Sequence, residues 1–513
     1  MNKLEIMQYK KNKLMLGGGE KSIAKQHSKG KLTARERLHL LFDKDTFIET
    51  GLFVKHRCTD FGMEKVVAPA EGVITGYGQV NGRTVYAFAQ DFTVMGGTLG
   101  KAQGDKIAKI MDMAIKTGNP IIGMKDSGGA RIQEGIDSMS GYSNIFYRNT
   151  KASGVVPQIT AIMGPCAGGA AYSPAITDYI FMVDKTSQMF IAGPEVIKAV
   201  TGEVIDGEKL GGGMTHNQVS GVAHRINKND EECIEDMKRL LYYLPSNNTK
   251  KATIVESKDD INRKSEMLNT FIPEQSSRPY DMKVIIKELA DDKEFYEIQP
   301  YFAQNIIIGF IKIGGETIGI VANQPQVLAG CMDINASDKA ARFIRFCDAF
   351  NIQILNIVDV PGFLPGTNQE YSGIIRHGAK VLYAYSESTV GKVTLIVRKA
   401  YGGSYIAMCN KELGADFVYA WPGSEIAVMG SAGAANIIFK KEIENAEDPK
   451  KVRSEKIAEY QEKFANPYLA AEDGYVDDII EPAKSRSYIA SAFSLLRDKV
   501  EESPYKKHGN IPL

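Results

Sequence analysis

The amino-acid sequence predicts an α/β protein made of two related halves, and three observations lead to this fold class. Strings of the first half return in the same order in the second half, β-branched runs alternate with amphipathic helical segments, and the short strands are almost wholly apolar. Strands buried on both faces appear as continuous apolar runs, which is typical of sheets covered by helices. We therefore expect helices to pack on the sheets of both halves.

The repeat is recognised from residues that return at a nearly constant shift. The matching pairs are residues 42–49 and 290–297, 82–85 and 315–318, Asp126 and Asp359, and 168–169 and 402–403. Their order is preserved, and the shift changes only between the strings. The sequence therefore predicts two domains, at residues 1–255 and 256–513, with a polar linker region at residues 245–279.

Within each half the predicted elements follow one order. A glycine turn, at Gly82 or Gly315, comes first, and a β-branched strand follows it. An amphipathic helix and two short apolar strands come next, and the second of these strands leads to a double glycine. The predicted helices contain residues 107–115 and 340–347, and the apolar strands are 120–124 and 352–358, then 159–163 and 393–397. This alternation indicates parallel strands connected by helices.

The bulk composition excludes several classes of protein. Apolar residues make up 43% of the chain and charged residues 24%, while Lys plus Arg and Asp plus Glu number 62 each. The charge balance therefore does not indicate a nucleic-acid partner, although it does not exclude a local basic patch for a phosphate-bearing ligand. The six cysteines include no C-x-x-C pair, so no metal site or disulfide framework is expected. The beginning of the sequence lacks the apolar run of a signal peptide, and we expect a cytoplasmic protein.

The double glycines are the most informative candidates for chemistry. Glycine lets the backbone turn tightly and approach a ligand closely, and N–H groups exposed at such a turn can stabilise an oxyanion. The alternative is a tight strand-to-helix connection kept only for packing. Because the two copies share one ancestry, spacing alone leaves both interpretations open.

Three other features carry weaker signals. Residues 96–101 lack the spacing of a Walker phosphate loop, and residues 211–213 are predicted to be a flexible loop. The loop at residues 127–135 follows a buried strand, and its Arg131 could bind a phosphate or carboxylate or form a surface ion pair. His377 is interpreted as a hydrogen-bonded core histidine rather than a catalyst.

Several long strings resemble the carboxyltransferase subunits of biotin-dependent enzymes related to propionyl-CoA carboxylase β, methylmalonyl-CoA decarboxylase α and the large transcarboxylase subunit. They follow the family order along nearly the whole chain. Among them are KDSGGARIQEG at 125–135, GPCAGGAAYSPA at 164–175, VDVPGFLPGTNQEY at 358–371 and KAYGGSY at 399–405.

The resemblance implies two tandem crotonase-like domains, each a spiral of ββα units, in a homo-oligomer that we expect to be a hexamer. It also implies active sites between the N-domain of one chain and the C-domain of another. By that likeness the N-domain binds the acyl-CoA, and Gly168 and Gly169 donate to the thioester oxygen. Gly403 and Ser404 would donate to the ureido oxygen of biotin.

The same likeness suggests further binding residues around the two turns. The substrate-binding positions that it implies are Ala130, Arg131, Ala170, Tyr405 and Ile406. Ile406 lies where the family selects acyl chain length and where many propionyl-type enzymes carry Asp. An apolar residue there suits the decarboxylase and transcarboxylase branch.

The chain has neither a biotin-acceptor A-M-K-M string nor a recognisable ATP-binding domain. The resemblance therefore implies that biotin arrives on a separate biotin carboxyl carrier protein, with a coenzyme A thioester as substrate. A biotin carboxylase or a membrane decarboxylase subunit is the expected further partner, and the reaction direction stays open. Two alternatives remain: a crotonase-type hydratase or isomerase, for which no acid/base carboxylate stands out, and a non-catalytic scaffold of a carboxylase complex.

Overall fold

The computed structural model describes residues 1–513, which form two compact units, Met1–Lys251 and Ala252–Leu513. The sequence places the boundary at residue 255, inside the predicted linker region. Most of that region is not a free linker, because Leu268 is buried in the core of the second unit and Ser265 donates its amide to the Ala483 carbonyl.

The first unit contains ten helices and eight strands. The helices are α1 Lys3–Met15, α2 Glu20–His27, α3 Ala34–Leu41, α4 Lys101–Thr117, α5 Ile136–Ala152, α6 Tyr172–Ile176, α7 Pro194–Thr201, α8 Gly207–Gly211, α9 Gly213–Gln218 and α10 Asp230–Tyr243. The strands are β1 Ile48–Thr50, β2 Val73–Val80, β3 Arg83–Gln90, β4 Ile121–Ser127, β5 Gln158–Ala167, β6 Tyr179–Val183, β7 Gln188–Phe190 and β8 Arg225–Asn227.

The second unit also contains ten helices and eight strands. Its helices are α11 Met282–Leu289, α12 Ile334–Ala349, α13 Thr367–Tyr371, α14 Ile374–Glu387, α15 Gly402–Ala407, α16 Ser431–Ile438, α17 Lys440–Glu444, α18 Pro449–Phe464, α19 Pro467–Glu472 and α20 Ser485–Leu496. Its strands are β9 Tyr296–Ile298, β10 Ile306–Ile313, β11 Glu316–Asn323, β12 Gln353–Val360, β13 Lys392–Tyr401, β14 Phe417–Ala420, β15 Glu425–Ala427 and β16 Asp478–Ile479.

Both units have the same sheet topology. The first sheet has the strand order β1-β2-β3-β4-β5-β6-β8, and the second has β9-β10-β11-β12-β13-β14-β16. In each sheet the first three strands are antiparallel and the rest are parallel, and one extra strand, β7 or β15, pairs with the end of the fifth strand. The predicted α/β class and the duplicated plan are therefore confirmed.

The repeated aspartates of the two halves cap the β2–β3 and β10–β11 hairpins. In the first unit Asn81 and Gly82 both have positive φ, as a two-residue hairpin turn of the primed type requires. Asp43 accepts hydrogen bonds from both turn amides, at 3.0 and 2.8 Å. Asp291 does the same for Gly314 and Gly315, at 3.0 and 2.7 Å.

The predicted amphipathic helices α4 and α12 bury their apolar faces. In α4 the buried residues include Ile107, Ile110, Met111 and Ala114, and in α12 they include Ala340, Phe343, Ile344 and Cys347. Burying one such aliphatic or aromatic side chain contributes roughly 1.5–3 kcal/mol. No helix of the chain is both long enough and apolar enough to cross a membrane.

The prediction of a flexible loop at residues 211–213 is wrong. Gly211 ends α8 and Gly213 begins α9, and both glycines are buried. A Cβ at Gly211 would lie 2.1 Å from the Met189 carbonyl oxygen. Gly211 therefore permits close packing of α8 against β7, and Gly213 lies against Ile226 of β8, 3.0 Å from where its Cβ would be. The run of glycines does not reveal these roles.

Candidate active site

The first double glycine forms a turn directly after β5. Gly168 has φ +64°, and the turn continues through Ala171 into α6. Gly169 is exposed, and an added Cβ there would meet no atom within 4 Å. The first amides of a helical segment have no partner within the helix. Open space therefore adjoins a segment whose N–H groups can serve a ligand.

The second double glycine forms a similar turn directly after β13. Gly402 has φ +54°, and its Cβ would lie 2.8 Å from the Val428 carbonyl oxygen. Gly403 is exposed with nothing within 4 Å, like Gly169. The Ser404 hydroxyl donates to the Tyr401 carbonyl at 2.8 Å, so this side chain is occupied and only the backbone of Ser404 is available.

The tyrosines beside the second turn are unsuited to act as bases. Burial raises the pKa of Tyr405 well above its ordinary value. Burial, and then the hydrogen bond to Glu425, raise the pKa of Tyr401 in the same way. Both phenols therefore stay protonated at neutral pH, which leaves the backbone as the polar feature of this turn.

The loop after β4 lies against the first turn. Gly129 has φ +105°, and its Cβ would lie 3.3 Å from the Ala167 carbonyl oxygen, next to Gly168. Ala130, a predicted binding residue, is exposed and pairs with Leu99 in an isolated bridge. The equivalent bridge of the second unit joins Met332 and Phe363. The duplication therefore extends to the loops that flank the turns.

The structure corrects the interpretation of Arg131. Its side chain is 1% exposed, pairs with Glu71 and Glu134, and donates to the Thr98 carbonyl at 3.0 Å. The ion pair is internal rather than superficial, and the guanidinium is turned away from solvent. Arg131 therefore fixes the shape of the loop, and we do not retain its side chain as a ligand contact.

A cavity of about 580 Å³ lies at the far end of the same loop, beside Gln133 and Glu134. Five basic side chains line it, together with three other carboxylates. The basic residues are Lys55, Arg57, Lys101, Lys106 and Lys109, and the carboxylates are Asp60, Asp105 and Asp137. Sequence reasoning missed this cavity, because its basic residues come from two segments more than 40 residues apart.

The prediction for His377 has a direct structural counterpart. The His377 Nδ1 lies 2.8 Å from Asp338, whose carboxylate also binds Lys380 at 2.7 Å. The hydrogen bond is confirmed, but the side chain is 13% exposed and does not belong to the core. No group of three or more His, Cys, Asp or Glu side chains is arranged to hold a metal ion.

Fold and site together define a protein with two crotonase-like domains, each presenting one glycine turn at the end of its fifth strand. A carboxyl transferase domain matches residues 25–511. The chain therefore belongs to the carboxyl transferase domain family, and it is an acyl-CoA carboxyltransferase enzyme.

Two curated relatives match nearly end to end. The methylmalonyl-CoA decarboxylase subunit alpha of Propionigenium modestum is 60% identical over 100% of this chain and 99% of its own length. The propionyl-CoA carboxylase beta chain of Roseobacter denitrificans is 54% identical over 99% of both. The crystal structure of transcarboxylase 12S with methylmalonyl-coenzyme A bound has a TM-score of 0.97 and 53% identity, and the match covers 99% of this chain and 98% of that one.

Proposed function

We propose that this enzyme moves a carboxyl group between a short acyl-CoA, propionyl-CoA or methylmalonyl-CoA, and biotin held on a separate carrier protein. The observation that carries the proposal is the pair of equivalent turns, each with a left-handed glycine followed by an open one. One turn for each reactant suits a reaction in which negative charge develops on two oxygens. Similarity to carboxylase and decarboxylase subunits supports the same assignment.

The first turn serves the thioester. Removal of the α-proton or of the carboxyl group places charge on the thioester oxygen. The resemblance assigns the donors to Gly168 and Gly169; we instead propose the amides of Gly169 and Ala170, because these residues are the counterparts of Gly403 and Ser404 in the repeat. Removing one donor of this kind costs about 3–4 kcal/mol in other enzymes. Because the donors belong to the backbone, the sequence needs no particular side chain there. In the carboxylation direction the ureido group of biotin, once it has lost the carboxyl group, would accept the α-proton, so no protein side chain is needed as a base.

The second turn serves biotin through the amides of Gly403 and Ser404. Biotin supplies or accepts the carboxyl group when the carrier brings it to the site. The residues present fit such a ring, since Gly403 is open and the next exposed side chain, Ile406, is apolar. The protein's contribution is to orient the ureido oxygen and stabilise the charge on it.

The five basic side chains of the cavity beside Gln133 and Glu134 suit the phosphates of coenzyme A, although four carboxylates also line it. The loop contacts the first turn at Gly129 and lines the cavity at Gln133, so four residues of at most about 3.6 Å each separate the two places. An extended ligand lying along this loop would reach both. We expect Lys55→Ala with Arg57→Ala to raise the KM for acyl-CoA by about tenfold or more without changing the KM for biotin. The exposed Lys450→Ala is the control.

The experiment measures carbon dioxide release from methylmalonyl-CoA with and without free biotin. Biotin-dependent release with formation of propionyl-CoA is the expected result. The 60% identity to decarboxylase subunits and the apolar Ile406 favour this direction. Biotin-independent hydration of crotonyl-CoA would instead support a hydratase. Binding of partner proteins without any turnover would support a scaffold.

The same preparation tests the predicted assembly. The transcarboxylase 12S crystal structure is described as a hexamer, and we expect this chain to form one too. Its mass in solution, measured by light scattering, should be that of six chains, and a smaller mass would contradict the expected hexamer.

A further inference from the structure

Two buried aspartates occupy equivalent places just before the two turns. Asp126 is in β4 and Asp359 in β12, and both are 0% exposed. Each lies where the register shifts between its strand and the next parallel strand, the one that leads into the turn.

The register shift inserts the same extra length in both units. Between Lys125 and Ser127 on β4 the partner strand β5 advances from Ile162 to Cys166, so it carries two more residues than β4. On β13 the partners advance from Ile396 to Ala400. Bulges of this kind redirect a strand and are frequent beside active sites. The path of each strand into its turn therefore depends on what holds the bulged segment.

In the second unit the Asp359 carboxylate holds that segment directly. It accepts the Lys399 amide at 3.2 Å and the Arg398 Nε at 2.9 Å, and both donors are in the bulge. The Tyr280 hydroxyl donates to it at 2.8 Å. Lys399 lies three residues before Gly402 in the chain, so the segment that Asp359 holds leads directly into the turn.

In the first unit a different set of donors holds Asp126 and the bulged segment of β5. Gly164 takes the place of Arg398, and a Cβ there would lie 1.9 Å from the Asp126 carboxylate. The cations come instead from the N-terminal segment: Lys31 at 2.7 Å and Arg37 at 2.9 Å. Arg37 also donates to the Met163 carbonyl at 3.0 Å, and this ties the carboxylate to the bulge.

We propose that Asp126 and Asp359 are positioning residues, each of which aims the amides of the turn that follows it. The proposal rests on the proposed function. Asp359 acts on the biotin side and Asp126 on the acyl-CoA side, and neither touches a reactant. A buried carboxylate suits this task, because it accepts several hydrogen bonds at once and keeps them free of competing water.

The test compares Asp359→Asn with Asp126→Asn, two changes of the same chemistry in equivalent places. We expect Asp359→Asn to raise the KM for biotin and lower kcat by about tenfold or more while acyl-CoA binding, measured by calorimetry, stays constant. Asp126→Asn should weaken acyl-CoA binding and leave the KM for biotin unchanged. Parallel effects of the two variants on both reactants, or no effect in either folded variant, would overturn the proposal.

Milder variants cover the case in which the asparagine variants do not fold. Tyr280→Phe removes one donor to Asp359, and Gln26→Met removes one donor to Asp126, which Gln26 meets at 2.9 Å. Tyr280→Phe should raise the KM for biotin and Gln26→Met should weaken acyl-CoA binding, each by a smaller factor than the corresponding aspartate variant. Equal constants in these variants and the wild type would count against the proposal.

Amide hydrogen exchange gives a readout that does not need turnover. In Tyr280→Phe exchange should accelerate at residues 399–405 and stay constant at 165–171, and in Gln26→Met the pattern should reverse. If the wild type showed no biotin-dependent turnover, the proposed function would fail. Exchange that accelerates at only one of the two turns would then still support the positioning roles. Exchange that changes equally at both turns would exclude them.

Discussion

Gly168 and Gly402 adopt the same left-handed conformation, with φ of +64° and +54°, at the first residue after the fifth strand of their units. Each is followed by a glycine whose Cβ position is empty. Glycine adopts this conformation without strain, and the open space beside the second glycine lets a ligand approach the backbone of each turn.

Gly402→Ala should abolish transfer. The new methyl group would be placed in left-handed backbone, which costs about 1–2 kcal/mol, and within 2.8 Å of the Val428 carbonyl oxygen. The control is Gly474→Ala, where φ is +79° and no atom lies within 4 Å. Gly474→Ala should lose only the stability that the left-handed backbone costs, and it should keep full activity. Equal kcat values for the two variants, measured beside their melting temperatures, would refute a role for the turn.

Deleting an amide should be more damaging than changing the side chain that follows it. Ala170→Pro removes the N–H of a proposed donor, and Tyr405→Pro removes the N–H that follows the donor Ser404. Each substitution also distorts its turn, so we expect a loss of about 100-fold or more in kcat with the oligomer intact. Ala170→Gly and Tyr405→Phe keep the amide and should remain active. Sedimentation and steady-state rates check both statements. Full activity in the proline variants would contradict the donor model.

Ile406→Asp should change the acyl preference. Ile406 is 43% exposed and lies two residues beyond Ser404, at the predicted position of acyl selection. We expect the ratio of kcat/KM between methylmalonyl-CoA and malonyl-CoA to change by about tenfold or more, within the range seen when one methyl group distinguishes substrates. Ile406→Leu is the control. An unchanged ratio in the Asp variant would show that selection lies elsewhere.

Lys125→Met should alter the pH dependence of stability. Burial lowers the pKa of Lys125 from 10.5 to about 8, and its neighbours are the Ser173 hydroxyl at 3.4 Å and the Phe88 ring. Between these pKa values the unfolded chain binds more protons than the folded chain, so this group makes the wild type more stable as the pH rises. The Met variant lacks that gain.

Below about pH 8 the Met variant should therefore be the more stable of the two, and its advantage should shrink towards about pH 10. Urea unfolding at several pH values measures the difference in the free energy of unfolding. Lys116→Met, at an exposed position of α4, is the control. A difference that stays constant over this pH range would contradict the assignment.

Local pattern predicted much of the fold, because its determinants are local. The hairpins at Gly82 and Gly315 and the helices α4 and α12 follow from turn residues and apolar spacing, and all four are found where the sequence placed them. The sequence shows that Asp43 and Asp291 belong to the repeat, but only the structure shows that they cap the two hairpins. A duplicated chain supplies its own comparison, which a single domain does not.

Distant contacts account for what the sequence could not show. Arg131 pairs with Glu71, 60 residues away, so its inward direction has no local signal. Gly164 is small because the Asp126 carboxylate fills the space beside it, and Asp126 is held by Lys31, 95 residues earlier. The register shifts that make these aspartates important appear only once strands are paired.

The most direct test is the carbonyl stretching frequency of a ¹³C-labelled thioester, measured free and bound to the enzyme. Backbone donors at Gly169 and Ala170 should lower the frequency on binding to the wild type, and Ala170→Pro should abolish that change while the thioester still binds. A bound carbonyl with the frequency of the free one in the wild type would contradict the claim that this turn polarises the reacting oxygen.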